Sequence, residues 1–121
     1  MTIKFSDVVF EEPVLAWLWT PPRIGGLYAI LVPDSRCSPR PFRPIYFGET
    51  EDFAGRGFLE GHHKYHSWVR QAGSGFGLYV AIFRWPEATK AQRTGVESML
   101  IRNYRPECNE VLGLGLYGLL K

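Results

Sequence analysis

The sequence predicts an α+β domain: a small three-stranded, mainly antiparallel sheet flanked by helices, in the order β-β-α-α-β-α. Three observations predict it. Residues 26–32, GLYAILV, are apolar on both faces, as in a strand covered on both sides. Residues 44–48, PIYFG, make a second strand, and only a proline-rich loop separates the two, so they pair as an antiparallel hairpin. A third run, LYVAIFR at 78–84, has the strongest strand character and is expected at the centre of the sheet. A hairpin of this kind is not the start of a doubly wound parallel sheet, which leaves helices layered on a small sheet.

The elements follow in order. IKFSDVVF, near the start, suits a short strand, and EEPVLAWLW suits a helical turn that TPPR ends. After the first strand, PDSRCSPRPFRP carries four prolines and reads as a loop. Residues 50–60 read as a short helix, with Glu51 and Asp52 at its positive N-terminal end, weakened by Gly55 and Gly57. Residues 62–72, HHKYHSWVRQA, place Tyr65, Trp68, Val69 and Ala72 at helical spacing, and GSGFG breaks the chain behind them. Thr89 and Gln92 match a capping box, so a long helix starts there and runs to about Tyr104 before Pro106. Val96, Met99, Leu100 and Asn103 fall on one stripe of it.

With 121 residues the chain is read as one domain, 1–121, with a core over about 25–110 and terminal extensions packed on it. The composition, 45% hydrophobic and 15% aromatic, is that of a packed globular domain. No apolar stretch approaches the ~20 residues of a membrane span, and no signal peptide opens the chain. Cys37 and Cys108 are far apart and imply no disulfide framework, which points to reduced thiols and a cytoplasmic setting. The net charge of +2 permits nucleic-acid contact without arguing for it. The tail, EVLGLGLYGLLK, is apolar and offers a surface for a homodimer.

Several polar residues occupy odd places in this plan. Tyr28 lies in the first strand, on a face with Ile30 and Val32. Tyr46 lies in the second, opposite to Ile45 and Phe47, so a suitable register brings both phenols to one face. Arg56 follows between two glycines, Glu97 sits beside the apolar stripe of the long helix, and Asn109 follows Pro106. A phenol, a guanidinium, a carboxylate and an amide suit phosphodiester hydrolysis. A carboxylate can hold a hard divalent cation, and arginine matches phosphate with a planar fork of donors. Taken singly, each has a plainer reading: packing tyrosines, a solvated arginine, Glu97 paired with Arg93 one turn earlier, and a turn asparagine. His62 and His66 have a spacing that can hold zinc, but no further ligands accompany them. Phe58, Tyr65 and Trp68 are read first as core, with Trp68 beside Lys64 and Arg70 as a possible base-stacking surface.

The residues Gly26-Leu27-Tyr28, Tyr46-Phe47-Gly48, Arg56, Glu97 and the Pro106-x-x-Asn109 run together resemble the GIY-YIG nuclease domain. The likeness covers about Gly25 to Glu110. It implies a GIY-YIG-like fold and an endonuclease that hydrolyses DNA phosphodiester bonds with Mg²⁺ or Mn²⁺. By that resemblance Tyr28 is the general base or positions the attacking water, and Tyr46 bonds the phosphate or the water network. Arg56 binds the scissile phosphate, Glu97 holds the metal, and Asn109 orients the loop or Glu97. One of His62, His63 and His66 joins the substrate site. Arg40 and Arg43, with Arg36, line a loop expected next to that site, where they suit a DNA backbone. The sequence departs from the family in Leu27 and Phe47, in the long proline-rich loop, and in the glycines flanking Arg56. The alternative is a catalytically silent nucleic-acid-binding or protein-interaction domain of the same fold.

Overall fold

A computed structural model of the protein describes residues 1–55 and 59–109. Arg56, Gly57 and Phe58, and the apolar tail from Glu110 onward, lie outside the described residues. The structure is mixed α and β, with two antiparallel sheets and two α-helices among the described residues.

The main sheet is built on β4 (Gly26–Pro33) and β5 (Phe42–Thr50), the expected hairpin. β6 (Tyr79–Arg84) pairs antiparallel with the other side of β4. A two-residue strand, β3 (Val14–Leu15), pairs with β6, giving the order β3-β6-β4-β5. β4 is buried along nearly its whole length, as its two-sided apolar run requires.

Among the described residues the sheet is therefore four-stranded, not three-stranded. EEPVLAWLW does not form the expected helical turn from its start. The exposed edge of β6 captures it instead: Val14 and Leu15 pair with β6, and the Ala16 N–H donates to Leu78 O at 2.9 Å. Only Ala16–Leu18 forms one 3₁₀ turn. Pairing across the fold outweighs weak local preference here. IKFSDVVF likewise makes two strands, β1 (Ile3–Phe5) and β2 (Val8–Phe10), which form a separate hairpin.

Each face of the main sheet buries its own core. On one face Tyr28, Ile30, Ile45, Tyr46, Phe53, Val80 and Trp68 of helix α1 (Tyr65–Ala72) pack together. On the other, Leu27, Ala29, Leu31 and Phe47 meet Phe5 and Phe10 of the small hairpin and Leu100 of helix α2 (Lys90–Tyr104). Trp68 is fully buried, so it is core and not a base-stacking surface.

α2 begins where the sequence places it. The Thr89 side chain accepts from the Gln92 N–H, and the Gln92 side chain accepts from the Thr89 N–H. Of the expected stripe, Leu100 is buried, whereas Asn103 is exposed and donates to Ser6 Oγ. α1 starts three residues later than expected, because the Lys64 N–H is taken by the His62 ring at 3.0 Å. The short helix over 50–60 is not formed in its described part. Thr50 and Asp52 fold the chain into tight turns: Thr50 Oγ1 accepts from the Asp52 N–H, and Asp52 Oδ1 from the Ala54 N–H. Leu59–Gly61 then makes one 3₁₀ turn. Among the described residues no helix is long and apolar enough to cross a membrane.

Candidate active site

The strand register brings the two tyrosines together. Tyr28 stands opposite Gly48, and Ile30 opposite Tyr46, so the phenols are diagonal neighbours on the α1 face. Their rings stack with centroids 6.0 Å apart. Beyond Ile30 the register shifts: Leu31 faces Pro44, leaving Ile45 as an extra, bulged residue. The bulge turns Ile45 to the same core as Tyr46, rather than to the opposite face expected from strict alternation.

Both glycines of the two tripeptides are required by close approach. A Cβ at Gly48 would lie 2.3 Å from Tyr28 Cζ, and a Cβ at Gly26 would lie 2.0 Å from Phe83 O. The Tyr28 ring therefore rests directly on the β5 backbone.

His62 completes the cluster. Its Nε2 is 2.9 Å from the Tyr28 hydroxyl, and its ring packs against Tyr46 and Trp68, with centroids 5.2 and 4.5 Å away. A backbone N–H can only donate, so His62 Nδ1 accepts from Lys64 and the proton sits on Nε2. His62 thus donates to the Tyr28 oxygen. A charged imidazole would set a second N–H against that of Lys64. In agreement, burial, with help from His63 and Lys64, lowers the His62 pKa to about 4. Of the three histidines, only His62 joins the tyrosines. His63 is exposed and stacks on it, and His66 is exposed beside Tyr65.

Burial pushes the Tyr28 phenol well above its ordinary value, and the neighbouring Tyr46 and the Glu97 carboxylate push it further. Tyr28 is a neutral phenol at pH 7. It lines a cavity of about 460 Å³ with Glu49, Thr50, Glu51, Asp52, Gly55 and His62.

Glu97 lies on α2, near enough for its charge to act on Tyr28. Burial, and next the Glu49 carboxylate, raise its pKa to about 7, against an opposing effect of Lys90. It does not pair with Arg93 one turn earlier. Arg93 Nε instead donates to Glu49 Oε1 across to β5 at 2.8 Å, and Lys90 pairs with the same carboxylate. Burial works to raise the Glu49 carboxyl, but these two cations outweigh it and hold it below its usual value.

Carboxylate oxygens are the donors a hard divalent cation uses. Among the described residues no three His, Cys, Asp or Glu side chains gather as a ready metal cage. Glu49, Glu51 and Asp52 line the cavity with Tyr28; Glu97 does not line it, but its charge acts on Tyr28.

Asn109 is fixed on the edge of β5. Its Oδ1 accepts from the Phe47 N–H at 2.8 Å and its Nδ2 donates to Phe47 O at 2.9 Å, as a neighbouring strand would. The Cys108 N–H donates to the bulged Ile45 carbonyl. Cys37 and Cys108 are both free thiols.

The loop arginines are not at this site. The hairpin puts residues 34–41 at the end of β4 remote from Gly26, five residues or roughly 16 Å beyond Tyr28. Arg40 donates to the Met1 and Thr2 carbonyls and pairs with Glu12. Arg43 pairs with Asp34 and Glu107, and Arg36 with Asp34. Arg36 first, and Arg43 with it, hold the Asp34 carboxyl far below the usual carboxylate range. The loop follows the C-terminal end of β4, and the strand runs straight from Tyr28 to it, so its arginines stay a strand's length away.

Glu49 and Arg93 were not among the expected site residues. Their signal is weak in sequence: an acid next to Gly48, and an arginine four residues before Glu97. Compared with models of known families, with characterised proteins and with solved structures, the chain matches none of them.

Proposed function

We propose that the protein is a divalent-metal-dependent endonuclease acting on DNA, built around Tyr28, Tyr46, His62 and Glu97. The observation that carries this reading is the Tyr28–Tyr46–His62 cluster, with Tyr28 and His62 lining an open cavity and the raised-pKa Glu97 close enough for its charge to act on Tyr28. Perturbed pKa values of partly buried groups at a cleft mark candidate functional sites.

Of the two roles the resemblance offers Tyr28, water positioning is the better supported. A phenol with a raised pKa does not take a proton at pH 7, but it directs hydrogen bonds well. Neutral His62 holds its oxygen from one side through Nε2–H, and the stacked Tyr46 fixes the ring plane. Glu97 would hold the cation, which when bound supplies charge to the phosphate oxygens and a water of lowered pKa. The same reading gives Arg56 the phosphate, as a planar fork of donors.

The test is incubation of supercoiled plasmid with the protein and Mg²⁺ or Mn²⁺, beside Glu97→Ala. Nicking by the wild type alone supports the enzyme. No cutting of duplex, branched or single-stranded DNA with either metal overturns it. Salt-sensitive DNA retention without cutting would instead make this a silent binding domain.

A further inference from the structure

We propose that the Glu49–Arg93 ion pair is the positioning element that holds the Glu97 carboxylate beside Tyr28. The inference rests on the reading of Glu97 as the cation ligand.

The argument is one of adjacency. Tyr28 lies on Gly48, and the next residue of β5 is Glu49. Glu49 bonds Arg93 Nε at 2.8 Å, and both side chains are almost fully buried, at 9% and 8% exposure. Arg93 also donates from Nη1 to Ala88 O at 3.0 Å, so its guanidinium bridges the strand and the start of α2. Four residues on, the same face of the helix presents Glu97. One rigid planar group thus sets the offset between the strand that seats Tyr28 and the helix turn that carries Glu97. Lys90 shares the Glu49 carboxylate but is largely exposed, so its flexible ammonium neutralises charge without fixing geometry.

Charge balance and positioning make opposite predictions. If Arg93 only offset Glu49, Arg93→Lys would leave cation affinity unchanged, and Arg93→Gln would raise it by removing a nearby positive charge. If Arg93 positions Glu97, both variants weaken cation binding, because neither keeps the fork. The loss expected for a residue that orients a metal ligand is roughly 10–100-fold.

The experiment is a Mn²⁺ titration followed by the free-ion EPR signal, on wild type, Arg93→Lys, Arg93→Gln and Glu97→Gln, each first shown to be folded by near-UV circular dichroism. A double variant, Glu49→Gln with Arg93→Met, leaves no buried ion orphaned and serves if Arg93→Gln does not fold. The proposal expects weaker binding in every Arg93 variant. Unchanged binding by Arg93→Lys, or tighter binding by Arg93→Gln, overturns it. Crystal structures of wild type and Arg93→Lys give a readout that needs no metal: Glu97 should move away from Tyr28 while the sheet superposes, and an unmoved Glu97 overturns the proposal. Wild type binding Mn²⁺ no better than Glu97→Gln would defeat the cation reading alone, leaving the crystallographic comparison to decide the positioning role.

Discussion

The Tyr28 ring rests on the backbone of Gly48, directly opposite it across the hairpin, with no room between them for a methyl group. The tyrosine of the first tripeptide and the glycine of the second are thus two halves of one packing contact. The contact fixes where the phenol oxygen stands relative to His62 and the cavity.

Gly48→Ala is therefore expected to act as an overpacking change. The added carbon would lie under 3 Å from two ring carbons and the hydroxyl oxygen of Tyr28. The ring must tilt, at a cost of about 1–3 kcal/mol. Urea unfolding should show a lower midpoint, and the His62 side-chain NMR signals should shift as its bond to Tyr28 is lost.

Stability should depend on pH through two opposed groups. Folding lowers the His62 pKa to about 4, so the unfolded chain holds more protons between that value and 6.5, and stability rises with pH across that window. Folding raises the Glu97 pKa to about 7, so the folded chain holds more protons between 4.5 and that value, and stability falls as pH rises across that window. Urea midpoints measured from pH 4.5 to 6.5 should rise with pH in Glu97→Gln, fall with pH in His62→Gln, and change least in the wild type. Parallel curves for the three proteins would refute both assignments.

Asn109 should matter to the edge of β5 as a strand substitute. Asn109→Ala removes two hydrogen bonds to Phe47 and should cost about 1–3 kcal/mol. Asn109→Asp keeps the acceptor for the Phe47 N–H but sets an oxygen against the Phe47 carbonyl, so it should not rescue stability. Hydrogen exchange at the Phe47 amide should quicken in both variants.

The loop arginines should contribute to stability and not to DNA contact. Arg43→Ala should lower the unfolding midpoint by breaking the link between Asp34 and Glu107. The salt dependence of DNA affinity should be unchanged, whereas loss of a true phosphate contact reduces its slope by about 1. A drop of that size would return Arg43 to the interface.

The hairpin and the long helix were legible because their signals are local. GLYAILV and PIYFG have strand character in themselves, and the Thr89–Gln92 box closes within one turn. The edge strand β3 was not legible, since Val14 and Leu15 become a strand only because β6 offers them an unpaired edge. The bulge at Ile45, which lets Cys108 pair with its carbonyl, depends on register, and no residue type there announces it. Within the site, the shared face of Tyr28 and Tyr46 followed from strand period. The choice of His62 over His63 and His66 did not, because it turns on one backbone N–H taken by the imidazole. The plainer reading of Glu97, a pair with Arg93, was a sound local rule, but Glu49 on the neighbouring strand, with which Arg93 is buried, took Arg93 instead.

The most direct measurement of the central claim is single-turnover cleavage of an end-labelled DNA duplex in Mg²⁺, comparing wild type with Tyr28→Phe and Glu97→Gln. The account predicts cleavage by the wild type, a loss of about 10²-fold or more in Tyr28→Phe with the fold intact, and none detectable in Glu97→Gln. Equal cleavage rates for the three proteins, or no cleavage by the wild type, would contradict it.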